Sequence, residues 1–362
     1  MAALVPCTCL AAKDSSGAMM NHRIDRRAVG ANDVHIKISY SGICHSDIHT
    51  ALGEWGKKKY PLCVGHEILG RVVGVGAGVT KFKVGDLAGV GCFTDSCRSC
   101  AECAAGDEQY CSGSCGMHGT YGKPLPEDRH PGGQSHGGYS SDMVVDENYT
   151  IKVPESMDAP AAAPLLCAGI TCFSPFLHHG LTAGQTLGVV GLGGLGHMAV
   201  KIGKALGANV VVFTRSQSKV EDAKRLGAAK VIISTDAAAM KGAAKTCDLI
   251  YNSIAFAHDV QPYLDCLKSR STMVMVGGVP EGCMPKGSFA LVGRGLKLAG
   301  SCIGGIRETQ EMIDFCAKHG IVSDIELIDA TPGAVDAAWQ RAINSDVKYR
   351  FVIDTAKTLP QP

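Results

Sequence analysis

Four cysteines stand close together at Cys97, Cys100, Cys103 and Cys111. That spacing can close a tetrahedral shell of thiolates around one zinc ion. A four-thiolate shell leaves no open position, so such a zinc would be structural, stapling a loop of little apolar content. A disulfide pair is the alternative, which a reducing compartment disfavours. A second group, Gly42-Ile43-Cys44-His45-Ser46-Asp47-Ile48-His49, puts a thiol, two imidazoles, a hydroxyl and a carboxylate into one octet. These side chains suit a metal site or an activated nucleophile. A turn with a buried cysteine and solvated histidines would use the same letters. Gly65-His66-Glu67 and Cys167 extend the octet's chemistry. Cys44, His66 and Cys167 make a Cys2His set with room for a fourth ligand, the composition of a catalytic zinc site. Spacing alone does not join ligands so far apart, and taken singly His66 and Cys167 read as buried structural residues.

A third signal is Gly191-Leu192-Gly193-Gly194-Leu195-Gly196, which follows the apolar run Thr186–Val190. Glycines at this spacing, after a strand and at the start of a helix, let the backbone approach a pyrophosphate at the helix N-terminus. A tight turn without a ligand is the bland alternative. Binders of NAD place an acid about twenty residues further on, where it holds the ribose 2′-hydroxyl. Here the corresponding stretch is Phe213-Thr214-Arg215-Ser216-Gln217-Ser218-Lys219, which has no acid. Thr214, Ser216, Arg215 and Lys219 suit a 2′-phosphate, so NADP is expected over NAD. Arg215 and Lys219 could also be ordinary surface charges at a helix start.

These residues need elements to hold them. Residues 4–12 and 18–26 read as two strands about the turn Lys13-Asp14-Ser15-Ser16-Gly17, and Val34–Tyr40 as a strand running into the octet. To about residue 153 the chain is rich in glycine and short strands, which indicates a mostly β domain with long loops. An Ala-rich helical region is expected over 159–169. Strands then alternate with helices: 186–190, 209–213, 230–233, 248–252, 273–277 and 296–300 are strands, and 197–206 and 219–226 are helices. This is the pattern of a doubly wound parallel sheet. Six strands complete that sheet, so the tail, with helices over 307–319 and 333–344 and a strand over 349–353, should pack back on the first domain. The expected division is 1–160, carrying a zinc lobe at 92–115, then 161–304, then 305–362.

Composition agrees with a globular protein of this kind. The 362 residues are 46% hydrophobic and 19% charged, and the formal net charge is +1. That balance disfavours a nucleic-acid surface, which needs clustered positive charge. No apolar run has the length of a membrane span, and the N-terminus lacks the features of a signal peptide. The seventeen cysteines read as metal ligands and small buried hydrophobes in a cytoplasmic protein.

Taken together, the octet, Gly65-His66-Glu67, the four-cysteine lobe, Leu165-Leu166-Cys167-Ala168-Gly169-Ile170-Thr171, the glycine-rich run and the ending Lys348–Asp354 resemble the zinc-dependent medium-chain alcohol dehydrogenases, in the cinnamyl alcohol dehydrogenase branch. The resemblance covers nearly the whole chain. It implies a Rossmann domain beside a mostly β, GroES-like catalytic domain, two zinc ions per chain, NADP(H) and a homodimer. It assigns the catalytic zinc to Cys44, His66 and Cys167, with Glu67 able to exchange onto it. Asp47 would hold His66, and Ser46 would bond the substrate oxygen and pass a proton toward His49. Thr171, Ser253, Gly277 and the run Ser301-Cys302-Ile303 would line the cofactor site. Arg215 departs from the serine-rich pattern of the branch, in a direction that should not weaken NADP binding.

Lignin-forming members of the branch carry two aromatic residues where this chain has Gly116 and Cys302, so their aromatic clamp is missing here. The run Met117–Gly122 instead resembles broad-range aldehyde reductases. A permissive reductase of aliphatic and aromatic aldehydes is therefore expected, with a dedicated cinnamyl alcohol dehydrogenase as the alternative. A non-catalytic relative, a zinc-ribbon module and a zinc-free quinone reductase are the readings from other classes. The presence of both cysteine sets together with the glycine-rich run weighs against all three.

Overall fold

The computed structural model describes residues 3–127, 129–279, 283–285 and 287–359. The chain forms two compact units, Met1–Cys167 with Gly304–Pro362, and Ala168–Ile303.

The first unit opens with the antiparallel hairpin Val5–Ala12 and Met19–Arg26, in which Ala12 lies opposite Met19. Its turn is closed by Gly17 at φ +78°, a conformation glycine adopts without steric cost, and by the Ser16 amide donating to Asp14 Oδ1 at 2.8 Å. A larger sheet follows. In spatial order its strands are Ile325–Asp329, Arg350–Asp354, Asp33–Ile43, Ile68–Val75, Leu87–Val90 and Ile151–Lys152, with Asp142–Asp146 also paired to Asp33–Ile43. The tail does return to this unit: Phe351 lies opposite Ile43, and Asp354 opposite Tyr40. The strand Ile325–Asp329, which sequence reading overlooked, pairs parallel to it at the sheet edge. It is short and mostly half-exposed, so it carries little of the apolar signal that marks a strand. Leu10, Ile43, Leu62, Tyr139, Trp339 and Phe351 belong to one apolar core, and this core backs the strand that delivers the octet.

The second unit is a sheet of six parallel strands, ordered Lys230–Ile233, Asn209–Thr214, Thr186–Val190, Cys247–Asn252, Leu267–Met275 and Lys297–Gly300. Counted along the unit this is 3-2-1-4-5-6, and the order reverses between Thr186–Val190 and Cys247–Asn252. Ligands of such sheets bind outside the carboxyl ends of the strands at that reversal. Val190 pairs with Phe213 on one side and Asn252 on the other, so the three strand ends lie level there.

One expectation needs correction. The region 159–169 is not a continuous helix. Ala159–Ala162 makes one turn, Ala163–Leu166 is a 3-10 turn, and Cys167 leaves the helical conformation at φ −126°, ψ −65° before Ala168–His178 begins. Pro164 contributes by lacking an amide hydrogen, so the helical bond back to residue 160 is absent. Among the described residues no single helix is long and apolar enough to cross a membrane.

Candidate metal centres and cofactor-binding loop

Cys44 ends the strand Asp33–Ile43 and caps the short helix His45–Ala51. His66 and Glu67 immediately precede the antiparallel neighbour Ile68–Val75, and the Gly42 amide donates to the Glu67 carbonyl at 2.9 Å. Sheet register therefore brings two distant sequence segments side by side. The break at Cys167 supplies the fourth member. Donor atoms of Cys44, His66, Glu67 and Cys167 all lie within 4.8 Å of one another, and all four residues are buried.

Asp47 organises this cluster. It is fully buried. Its Oδ2 accepts the Cys44 amide at 2.9 Å, and its Oδ1 accepts the Gly65 amide at 3.1 Å. His66 Nδ1 lies 2.9 Å from Oδ1. A carboxylate only accepts, so it holds the proton on Nδ1 and leaves Nε2 free to ligate. Burial works against charge on His66, but the Asp47 carboxylate outweighs it and holds the imidazole well above its usual range. The Cys167 thiol, hydrogen-bonded to Cys44, helps hold Cys44 well below the usual thiol range, and Cys167 is raised in turn.

Glu67 is the unusual group. It is fully buried, yet neither carboxylate oxygen has a hydrogen-bond partner. Arg350 Nη2 approaches Oε1 to 3.2 Å as an ion pair, without hydrogen-bond alignment. Burial pushes the Glu67 carboxyl up to about 8, against the pull of Arg350. A buried carboxylate beside two thiols and an imidazole, with its own oxygens unsatisfied, fits a divalent cation as a further ligand. Gly42 makes the room: a Cβ there would lie 2.0 Å from Glu67 Oε2.

The four cysteines of the loop also converge. The sulfurs of Cys97 and Cys103 lie 3.9 Å apart, as do those of Cys100 and Cys111. A zinc–sulfur bond of about 2.3 Å gives tetrahedral edges of about 3.8 Å, whereas a disulfide needs about 2.05 Å. Amides of Cys97, Cys100 and Cys103 donate to sulfurs of the set. The Ser99 amide, followed by that of Cys100, lowers the Cys97 thiol to about 6. The donor set fits a four-thiolate zinc with no vacancy for substrate.

In the second unit the predicted cofactor residues gather at the carboxyl ends of the strands. Gly191, at φ +89°, turns the chain out of Thr186–Val190. A Cβ on Gly196 would meet the Gly191 carbonyl oxygen at 2.0 Å, so the turn requires glycine. Gly193 caps the helix Gly194–Ala205, which begins earlier than the periodicity indicated. Leu192 is buried and Leu195 half-buried. Ser253 Oγ donates to the Val190 carbonyl at 2.9 Å, and the Ser301 amide to the Met275 carbonyl at 3.1 Å. Gly277 packs against the Ile254 carbonyl, Ile303 adopts a left-handed φ of +42°, and Cys302 is exposed. Thr171 is buried on the helix Ala168–His178, its carbonyl accepting the Tyr251 hydroxyl. The Ser216 amide donates to Thr214 Oγ1 at 3.2 Å, and Ser216 and Ser218 share a hydroxyl contact of 2.6 Å. Lys219 Nζ donates to the Leu192 carbonyl at 2.9 Å, which ties the stretch 213–219 to the glycine-rich turn. Arg215 is exposed beside it.

Residues 30–155 match the alcohol dehydrogenase GroES-like domain, and residues 194–318 the zinc-binding dehydrogenase domain. The chain is 49% identical to NADP-dependent alcohol dehydrogenase C 1 of Mycolicibacterium smegmatis over 346 residues, covering 96% of this chain and 97% of that protein. The chain belongs to the zinc-binding alcohol dehydrogenases. Aldehyde reductase YahK of Escherichia coli is 48% identical over 332 residues, 91% of this chain and 93% of its own length. Among solved structures, the cinnamyl alcohol dehydrogenase SbCAD4 of Sorghum bicolor superposes with a TM-score of 0.92 at 41% identity, covering 99% of both chains.

Sequence reading of this dehydrogenase missed several residues at the metal cluster. Arg350 was seen only as part of a matching ending. Tyr121 and Tyr139 reach the cluster from a distant segment, with the Tyr139 hydroxyl donating to Asp47 Oδ2 at 3.1 Å. Cys92 hydrogen-bonds Cys167, which holds its thiol below the usual range. None of these residues has a spacing relation to the ligands, so no sequence signal singles them out. At the octet, Ser46 Oγ lies 3.7 Å from Cys44 Sγ. His49 pairs through Nδ1 with Glu54 Oε2 and stacks on Trp55 at 5.1 Å. His45 is exposed.

Proposed function

We propose that the protein catalyses reversible, NADP(H)-linked interconversion of aldehydes and alcohols at a zinc held by Cys44, His66 and Cys167. The observation that carries this reading is the pairing of a closed four-thiolate set with a buried Cys2His set whose neighbouring carboxylate, Glu67, lacks hydrogen-bond partners. The names of the M. smegmatis and E. coli relatives support the cofactor and the aldehyde class.

Zinc bound there supplies a Lewis acid that polarises an aldehyde oxygen or lowers the pKa of an alcohol. NADP(H) carries the hydride. The chain does the rest. Asp47 fixes the tautomer of His66. Ser46 supplies the hydroxyl proton for the substrate oxygen, and His49, backed by Glu54, serves the solvent end of the proton path. Glu67 stands as the exchangeable ligand. Thr214, Arg215, Ser216 and Lys219 hold the 2′-phosphate. Gly191 to Gly196 cradle the pyrophosphate, while Thr171, Ser253, Gly277, Ser301, Cys302 and Ile303 border the remainder of the cofactor.

Gly116 and Cys302 support a permissive substrate range over a dedicated cinnamyl specificity. A homodimer through the edge strand Lys297–Gly300 is supported by its terminal place in the sheet and by Phe289 and Val292 nearby in the chain, which are 85% and 70% exposed. The abundance of cysteines in so long a chain supports a cytoplasmic location.

A panel of aliphatic and aromatic aldehydes, assayed with NADPH and NADH side by side, tests the reading. Reduction of both aldehyde classes with NADPH preferred is expected. Comparable rates with NADH would overturn the cofactor assignment, and activity confined to coniferaldehyde-type substrates would overturn the breadth. Metal analysis should find two zincs per chain, and Cys44→Ser should abolish turnover.

A further inference from the structure

One nitrogen of the metal cluster has more neighbours than a ligand–carboxylate pair needs. His66 Nδ1 lies 2.9 Å from Asp47 Oδ1 and 3.0 Å from the Tyr121 hydroxyl. The tyrosine ring stands 5.7 Å from the imidazole, tilted by 41°. A hydroxyl can donate to a bare nitrogen, and that arrangement would move the imidazole proton to Nε2, the nitrogen that must ligate. Asp47 prevents this, because a carboxylate only accepts and so keeps the proton on Nδ1. With Nδ1 protonated, the Tyr121 oxygen stands as a second acceptor beside it. Nδ1 therefore faces two partners at once, and the imidazole cannot swing without losing both contacts.

The backbone under Tyr121 is equally fixed. Thr120 donates from its amide to the Cys92 carbonyl at 3.2 Å and from its hydroxyl to the Gly91 carbonyl at 2.6 Å. The Gly122 amide donates to the Ser135 carbonyl at 2.9 Å. Just before it, His118–Gly119 pairs with Phe93–Asp95, closing the base of the four-cysteine loop. Tyr139 supports Asp47 from its other oxygen, at 3.1 Å.

We propose that Tyr121 is a positioning residue of the catalytic zinc site, locking His66 against Asp47 in the tautomer and orientation that bind metal. The proposal rests on the assignment of a catalytic zinc to Cys44, His66 and Cys167. Groups that orient a metal-bound histidine set metal affinity by factors of about ten to a hundred.

The test uses zinc-loaded wild type and Tyr121→Phe, which keeps the ring and removes only the hydroxyl. Zinc content, the rate of zinc transfer to a chromogenic chelator, and kcat and KM for an aldehyde are measured on both. In the variant, one of the two zincs should transfer roughly tenfold faster or more, the other should transfer at the wild-type rate, and kcat should fall with KM for NADPH unchanged. A cobalt(II)-loaded variant should show an altered visible spectrum at the exchangeable site. If both zincs leave at wild-type rates and the cobalt spectrum is unchanged, Tyr121 is only a packing residue and the proposal is overturned. If wild type holds a single zinc, the catalytic assignment itself fails, an outcome distinguishable by stoichiometry alone.

Discussion

Replacing Arg350 by methionine tests how Glu67 is held. Arg350 is 5% exposed and Glu67 is fully buried. At 3.2 Å and an effective dielectric of about 20, their attraction is about 5 kcal/mol. Breaking a buried pair from one side typically costs about 3–5 kcal/mol, because the remaining charge is left uncompensated. Because the Glu67 carboxyl is pushed up to about 8, the comparison is made at pH 9, where it is ionised. Arg350→Met should there destabilise the zinc-free protein by about that amount, and by less at pH 7, where the carboxyl is already protonated. Divalent zinc would take over the compensation of Glu67, so the zinc-loaded variant should lose clearly less. The assay is denaturant unfolding of zinc-stripped and zinc-loaded forms, followed by a probe in the first unit such as Trp339, which packs edge-on to Tyr139 in its core. If the zinc-free variant stays within about 1 kcal/mol of wild type, well below the range expected for a buried pair, the ion pair is not what offsets the buried Glu67 carboxylate. An equal loss in both forms would show that zinc does not share that compensation.

Three further outcomes are expected. Arg215→Ala with Lys219→Ala should raise KM for NADPH at least tenfold while leaving NADH little changed, since a charged hydrogen bond contributes about 1.5–3 kcal/mol; an unchanged NADPH-to-NADH ratio would remove these residues from the 2′-phosphate site. Cys103→Ser should leave one zinc per chain and make the loop 92–115 susceptible to limited proteolysis; two zincs and protease resistance would contradict the structural-zinc assignment. Burial, with the Arg26 charge, lowers His136 to about 3. The folded state thus excludes a proton that the unfolded chain accepts below about 6.5, so the stability from this group is full above that pH and declines as pH falls toward 3. At pH 5 the loss is about 2 kcal/mol, and His136→Gln should flatten the fall in melting temperature between pH 7 and pH 5. A variant with the wild-type pH slope would show that another group is responsible.

Local chemistry made much of this protein legible from its letters. Cys97, Cys100, Cys103 and Cys111 lie near enough in sequence that their spacing alone specifies a closed shell. Gly191, Gly193 and Gly196 encode a turn whose close backbone contacts only glycine permits. The alternating sheet was legible because buried parallel strands are continuous apolar runs. The half-exposed strand Ile325–Asp329 escaped notice for the opposite reason, since an edge strand buries little. The break at Cys167 is not legible in the sequence, because an Ala-rich composition reads as helix throughout.

The letters alone supplied an inventory of candidates: thiols and an imidazole suited to metal, a glycine-rich turn after a strand, and basic residues in place of an acid further on. Which distant groups meet follows from the folded chain. Antiparallel register sets Gly42 against Glu67, and the returning tail strand Arg350–Asp354 brings a guanidinium onto that carboxylate. Asp47 gathers the Cys44 and Gly65 amides, the His66 ring and the Tyr139 hydroxyl. Such contacts arise from strand pairing and burial across long chain separations, where no spacing rule operates, and burial is also what gives Glu67 and Asp47 their chemistry.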